Sequence, residues 1–326
     1  MSQPTLTRRR LLASLTGVSA VLGLAALLPI DSSAAGSLTV ADDHTETDDA
    51  SRLPAPDMSG IEHIVVVMME NRSFDHLLGW LPAHDGRQAG LRKGDAAGVF
   101  HPTYRLAPNF QGCGLHDPDH SFTGGRVEYD NGRCDGWLRA GANDIFSIGY
   151  YTQEDLLFLG HIAPRFATPD RYFAAILGPT FPNRIFQHAA QTDRLSNTVA
   201  LSTLPTIWDR LVAAGLSGRY YFSDIPALAL WGSKYLSISR LVATFFTDAA
   251  AGMLPAVSFI DPAFAGEATG TSNDDHPFND IRNGEVFLDA LYRAVTSGPA
   301  WRNSVFIIKY DEWAGFSSTS RLRPGR

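Results

Sequence analysis

"IVVVMMENRSFDH", residues 64–76, is the stretch on which the fold turns. Five apolar residues, Ile64 to Met68, run without a polar break, and Met69 leads into Glu70, Asn71, Arg72, Ser73, Asp75 and His76. A short β-branched run of this kind fits a strand buried on both faces, as in a parallel sheet. Its sequel gathers two carboxylates, an amide, a guanidinium, a hydroxyl and an imidazole at one strand end. A surface turn would hold these as solvated groups, whereas a site would use them as ligands for a metal ion or for phosphate.

The same alternation continues outward. "GRYYFSD" (218–224), "PAVSFIDP" (255–262) and "NSVFIIKYDEW" (303–313) are three more short β-rich runs. "TIWDRLVAAG" (206–215) and "NDIRNGEVFLDALYRAVTSG" (279–298) read as helices, the second opening on Asn279 and Asp280 and stopping at Gly298. Strand–helix alternation implies an α/β fold, a mostly parallel sheet covered by helices on both faces. Each strand candidate ends in acid: Glu70, Asp224, Asp261, then Asp311 with Glu312. Open parallel sheets build sites beyond the carboxyl ends of their strands. "YDE" is therefore expected to meet "ENRSFDH" at one edge.

Two further constellations stand out. In "LGPTFPNR" (177–184), Thr180 follows a Gly–Pro turn at an expected helix start. Free backbone N–H groups and the positive helix end favour an anion there, although a plain N-cap reads the same way. In "SNDDHPFNDI" (272–281), Asp274, Asp275 and His276 precede a helix, a grouping suited to metal ligation or proton transfer.

The chain of 326 residues is 44% hydrophobic and 19% charged, an ordinary globular balance. Its net charge of −7 argues against nucleic acid as a partner but not against phosphorylated small molecules. "TRRRLLASLTGVSAVLGLAALLP" (7–29), with Ser33, Ala34 and Ala35 after it, has the layout of an export signal over residues 1–35. Arg8, Arg9 and Arg10 point to the twin-arginine export machinery, hence to a secreted or periplasmic protein; the other reading is an uncleaved anchor. Residues 36–57 are acidic and proline-terminated and read as a disordered leader. Cys113 and Cys134 would form a disulfide after export, or stay as two buried thiols.

"MMENRSFDHLLGW", "DPDHSF", "CDGW", "GYYTQEDL", "RYFAAILGPTFPNR", "DDHPFNDIRNGEVFLDALYRAV" and "VFIIKYDEWAGF" occur in this order between residues 60 and 316. Together they resemble the bacterial phosphoesterase family, which includes non-haemolytic phospholipases C and acid phosphatases on the alkaline-phosphatase-like fold. The resemblance implies that Glu70, Asn71, Asp311 and Glu312 hold a divalent metal ion (Ca, Zn or Mg-like) and that Thr180 is the nucleophile. It places His276 and His120 near the phosphoryl group, His120 with the weaker claim. Arg72 and Asn183 are candidates for binding substrate, Arg72 by a bidentate clamp on phosphate oxygens or, equally, by pairing with Asp75. A phosphate ester, most simply a phospholipid such as phosphatidylcholine, is the implied substrate, with an acid phosphatase on the same site as the alternative. No obligate protein partner is implied.

One departure qualifies the resemblance. Relatives continue the acidic pair with two glycines, a phenylalanine and later an Asp-His segment, whereas this chain has Ala314 in the first glycine position and, after Gly315 and Phe316, "SSTSRLRPGR" with no Asp-His pair. Residues 58–326 are thus expected to be a phosphoesterase domain incomplete at its C-terminus, with a catalytically impaired, phosphate-binding remnant as the rival reading.

Overall fold

A computed structural model describes residues 58–112, 114–313 and 315–318. The export signal, the acidic leader, Cys113 with its expected bridge to Cys134, Ala314 and residues 319–326 lie outside the described residues.

The strands are β1 (His63–Met69), β2 (Arg92–Gly94), β3 (Phe100–Pro102), β4 (Tyr104–Arg105), β5 (Gly149–Tyr150), β6 (Gly218–Phe222), β7 (Ser239–Leu241), β8 (Val257–Asp261) and β9 (Ser304–Tyr310). The α-helices are α1 (Phe74–Leu78), α2 (Phe122–Tyr129), α3 (Leu159–Ile162), α4 (Thr180–Ala189), α5 (Ile207–Ala213), α6 (Val242–Ala250) and α7 (Ile281–Thr296). Five strands form the central sheet in the order β7-β6-β8-β1-β9, and every pairing in it is parallel. The α/β reading holds, and β1 spans the residues of the opening apolar run. β7 is an edge strand of three residues, too short for hydrophobic patterning to reveal.

Side chains alternate between the two faces of this sheet as strand geometry requires. Val65, Val67, Met69, Tyr221 and Ile260 face one core, filled by Phe245 of α6 and by Phe287, Leu288 and Leu291 of α7. Met68, Tyr220 and Phe259 face the other, filled by Phe181 and Ile185 of α4 and by Trp208 and Leu211 of α5. Both faces are therefore covered, which is why β1 is apolar throughout rather than alternating. The α7 helix begins at Asp280, whose carboxylate accepts the Arg282 N–H as an N-cap. Among the described residues no helix is long and apolar enough to cross a membrane.

Candidate active site

The carboxyl ends of β1 and β9 are neighbours because the two strands pair in register from His63↔Ser304 to Met69↔Tyr310. Glu70 and Asn71 therefore leave the sheet beside Asp311 and Glu312. The Asp311 N–H still donates to Met69 O (3.1 Å), so the ladder runs into the turn. Asn71 sits in the left-handed region (φ 52°), which an asparagine tolerates better than most side chains. That conformation sends its backbone N–H to Asp311 Oδ1 at 3.3 Å. The Asn71 side-chain Oδ1 is buried with no hydrogen-bond partner among the described residues.

Thr180 approaches from the opposite side. It is the first residue of α4, and Pro179, not Thr180, occupies the cap position. Its hydroxyl is free of capping duty and donates to Glu312 Oε1 at 3.3 Å. Asn183, one turn on, holds the preceding loop: its amide donates to Gly178 O (2.7 Å) and Ile176 O (3.1 Å) and accepts the Ile176 N–H (3.1 Å).

Arg184 lies four residues after Thr180 on α4, 2% exposed. Its guanidinium reaches Asp261 Oδ1 (2.6 Å), Asp311 Oδ2 (3.1 Å) and Glu70 Oε1 (3.4 Å), and donates to Met68 O (3.2 Å). One cation thus ties together the ends of β1, β8 and β9. Burial pushes the Asp261 carboxyl up, with Arg184 opposing the shift. The Tyr220 hydroxyl also donates to Asp261.

The histidines form a second wall. His120 and His276 stand edge-on, ring centroids 6.1 Å apart, and His276 Nε2 is 3.6 Å from Asp117 Oδ2. His120 donates through Nδ1 to Pro118 O (2.8 Å), and its ring nitrogens are 3.4 Å from the Asn71 amide. Asp117, His120, Ser121 and Pro179 line a cleft of about 330 Å³ at the mouth of this arrangement. Below it, Asp274 accepts from Ser272 Oγ (2.8 Å), the His276 N–H (3.0 Å) and Asn279 Nδ2 (2.6 Å), which fixes the turn before α7.

Arg72 is placed differently from an open clamp. It is 2% exposed and donates to Asp275 O (2.7 Å) and His276 O (3.3 Å), and to His76 Nε2 (2.9 Å). His76 in turn donates from Nδ1 to Gly149 O (2.9 Å), and burial, with Arg72 beside it, holds this imidazole neutral and well below its usual pKa. Arg72 donates to the backbone under His276 and to the His76 ring, and Asn183 spends its amide on the backbone under Thr180. Asp224, another acid at a strand end, accepts the N–H groups of Phe264 (3.0 Å) and Ala265 (2.6 Å) and serves the loop after β8.

Two groups among the described residues have the composition to hold a metal ion: Asp117 with His120 and His276, and Glu70 with Glu267 and Asp274. The corner of Glu70, Asn71, Thr180, Asp311 and Glu312 is rich in the oxygen donors a divalent cation takes, but Glu70, Asp311 and Glu312 are not one of these converging groups. It presents the buried Asn71 amide oxygen, which lacks a hydrogen bond among the described residues, beside the carboxylates of Glu70, Asp311 and Glu312. Sequence reasoning gave no role to Arg184 or Glu267. Arg184 had a visible signal, since it follows Thr180 at the i+4 spacing that shares a helix face.

The family model described as "Phosphoesterase family" matches residues 61–321. The chain is 30% identical over 298 residues to non-specific phospholipase C1 of Arabidopsis thaliana, covering 82% of this chain and 55% of that protein. It is 29% identical to non-specific phospholipase C6 of the same plant (79% and 54%) and 29% identical to phospholipase C A of Mycobacterium tuberculosis (79% and 59%). The chain spans a little over half the length of these relatives. A single model reaching from β1 past the acidic turn after β9 covers every element that builds the site, and on that ground the chain belongs to the phosphoesterase family.

Proposed function

We propose that this protein hydrolyses phosphate esters in the manner of a phospholipase C, with Thr180 as nucleophile and a phospholipid such as phosphatidylcholine as substrate. The observation that carries the reading is the Thr180 hydroxyl, released from capping at the start of α4 and bonded to Glu312 inside a ring of buried carboxylates. Glu70, Asn71, Asp311 and Glu312 would hold a divalent cation. Such an ion, when bound, offsets phosphoryl charge and lowers the pKa of a nearby hydroxyl.

The chain's own groups divide the remaining work. Glu312 orients the Thr180 oxygen by taking its hydrogen bond, and the N-terminal dipole of α4 favours the incoming anion. As Glu312 takes the hydroxyl proton, attack forms a Thr180 O–P bond and breaks the bond from phosphorus to the glycerol oxygen. His276, beside His120 and Asp117, gives that departing oxygen a proton. Water then cleaves the Thr180–phosphate bond, releases the phosphorylated headgroup and restores the hydroxyl. Arg72 and Asn183 support this chemistry by holding the turns that bear His276 and Thr180.

Thr180→Ala should lower turnover of phosphatidylcholine and of an aryl phosphate at least about a hundredfold, the scale of removing a covalent step. The aryl phosphate arm separates a phospholipase from a phosphatase, and metal content of the same samples reports the cation. Activity in Thr180→Ala near that of the parent would end the nucleophile assignment. We also propose export through the twin-arginine machinery, on the strength of residues 7–35. Changing Arg8, Arg9 and Arg10 together to Lys should leave the protein inside the cell; periplasmic accumulation of that variant would speak for another route.

A further inference from the structure

Glu128, in the last turn of α2, is fully buried and plays no part in the chemistry proposed above. We infer that Glu128 is a positioning residue that clamps both walls of the active site, the turn carrying Glu312 and the loop carrying His120, onto the single helix α2. The clamp is a geometric statement; its meaning for catalysis rests on the phosphoesterase reading.

One arm runs to Trp313, the residue after Glu312. The Trp313 Nε1–H donates to Glu128 Oε2 at 2.5 Å. The indole lies against Gly125, three residues earlier on the same helix face, where a Cβ would come within 2.7 Å of the ring. A side chain at position 125 would therefore push the ring away, and with it the turn that holds Glu312 against Thr180.

The other arm runs through Asn143. Its Nδ2 donates to Glu128 Oε1 (3.0 Å) and to Trp137 O (2.8 Å), while its Oδ1 accepts the Asp119 N–H at 2.6 Å. Asp119 immediately precedes His120 and uses its own carboxylate to accept the Ser121 N–H (2.9 Å). The lining of the cleft, from Asp117 to Ser121, thus hangs from Asn143, and Asn143 hangs from Glu128.

A carboxyl group suits this position because two N–H donors converge on it from different segments, and it offers an acceptor oxygen to each. A glutamine has one acceptor; it can serve Trp313 or Asn143, and its own NH₂ then faces the other donor. Burial pushes the Glu128 carboxyl up to about 8, with the bonds from Trp313 and Asn143 acting the other way.

The test uses the full chain with Glu128→Leu, Glu128→Gln, Trp313→Phe and Asn143→Ala. Amide hydrogen exchange in Glu128→Leu should accelerate about tenfold or more in both 117–121 and 311–313, with β1 still protected. Trp313→Phe should loosen 311–313 alone and Asn143→Ala 117–121 alone, and these two variants carry the test if Glu128→Leu does not fold. Acceleration confined to α2 would overturn the inference. In the same variants, kcat for an aryl phosphate should fall about tenfold with KM changed less than about threefold, measured well below each Tm, and Glu128→Gln should fall between parent and Glu128→Leu. A lowered Tm with kcat intact would reduce Glu128 to a stabilising residue. A parent without turnover would count against the phosphoesterase reading, and the exchange data would still decide the clamp.

Discussion

Arg184 and His188 sit one turn apart on α4, both 2% exposed, and the helix treats them in opposite ways. Arg184 faces the carboxyl ends of the strands and meets Glu70, Asp261 and Asp311. His188 faces the aromatic core, 4.5 Å from Phe259 and 5.9 Å from Trp208 between centroids, and neither ring nitrogen has a hydrogen-bond partner among the described residues. A guanidinium cannot shed its charge, so its burial demands carboxylates. An imidazole can, and burial, with Arg184 and Lys309 nearby, lowers the His188 pKa to about 3. The half of α4 next to the sheet's carboxyl edge is thus built for charge, and the half below it is built to exclude charge. Four residues separate the two regimes.

The contrast can be broken most sharply at Arg184. Arg184→Met leaves three buried carboxylates without their guanidinium and should cost about 3–5 kcal/mol in urea unfolding. Arg184→Lys keeps the charge but loses the planar fork and should fall between that variant and the parent. Equal stability of the Arg184→Met variant and the parent would mean the carboxylates do not depend on this cation. At the other end, His188→Leu should change stability at pH 7 by no more than about 1 kcal/mol, because the imidazole there is neutral and makes no hydrogen bond among the described residues. Its effect should appear on acidification. The folded pKa lies below the unfolded value near 6.5, so the unfolded chain takes up the proton first. The His188 contribution is complete above about pH 6.5 and is lost as pH falls toward 3, and the leucine variant should lack that part of the acid loss. Matching acid profiles for parent and variant would remove the distinction between the two halves of the helix.

Much of this arrangement could be read from residues alone. The run at 64–68 announced a doubly covered strand, and the acids that close β1, β8 and β9 do converge where a parallel sheet should place its site. Thr180 and Glu312 meet as expected of one site. The bonds of Arg72 were beyond such reading, because an arginine beside phosphate-site residues looks the same whether it faces substrate or a buried carbonyl. Asp224 illustrates the same limit from the other side: it follows a strand as Asp261 ends one, yet braces a loop. Partner choice is settled by tertiary distance, and local spacing along a helix or strand carries only part of it. The bonds that the Asp274 carboxylate accepts from Ser272, His276 and Asn279 belong to that hidden part.

The pairing of β1 with β9 has a consequence for biosynthesis. The first strand of the sheet is also one of its most apolar, and its partners lie at residues 257–260 and 304–310. At about 5–20 residues per second, a ribosome needs roughly 10–50 s to make the stretch between β1 and the end of β9. Throughout that interval "IVVVMM" waits for its full set of neighbours. A nascent chain with so high a contact order at its start is a natural client for holdase chaperones, and the rate of translation over residues 70–300 should influence its soluble yield more than codon changes within β1 itself.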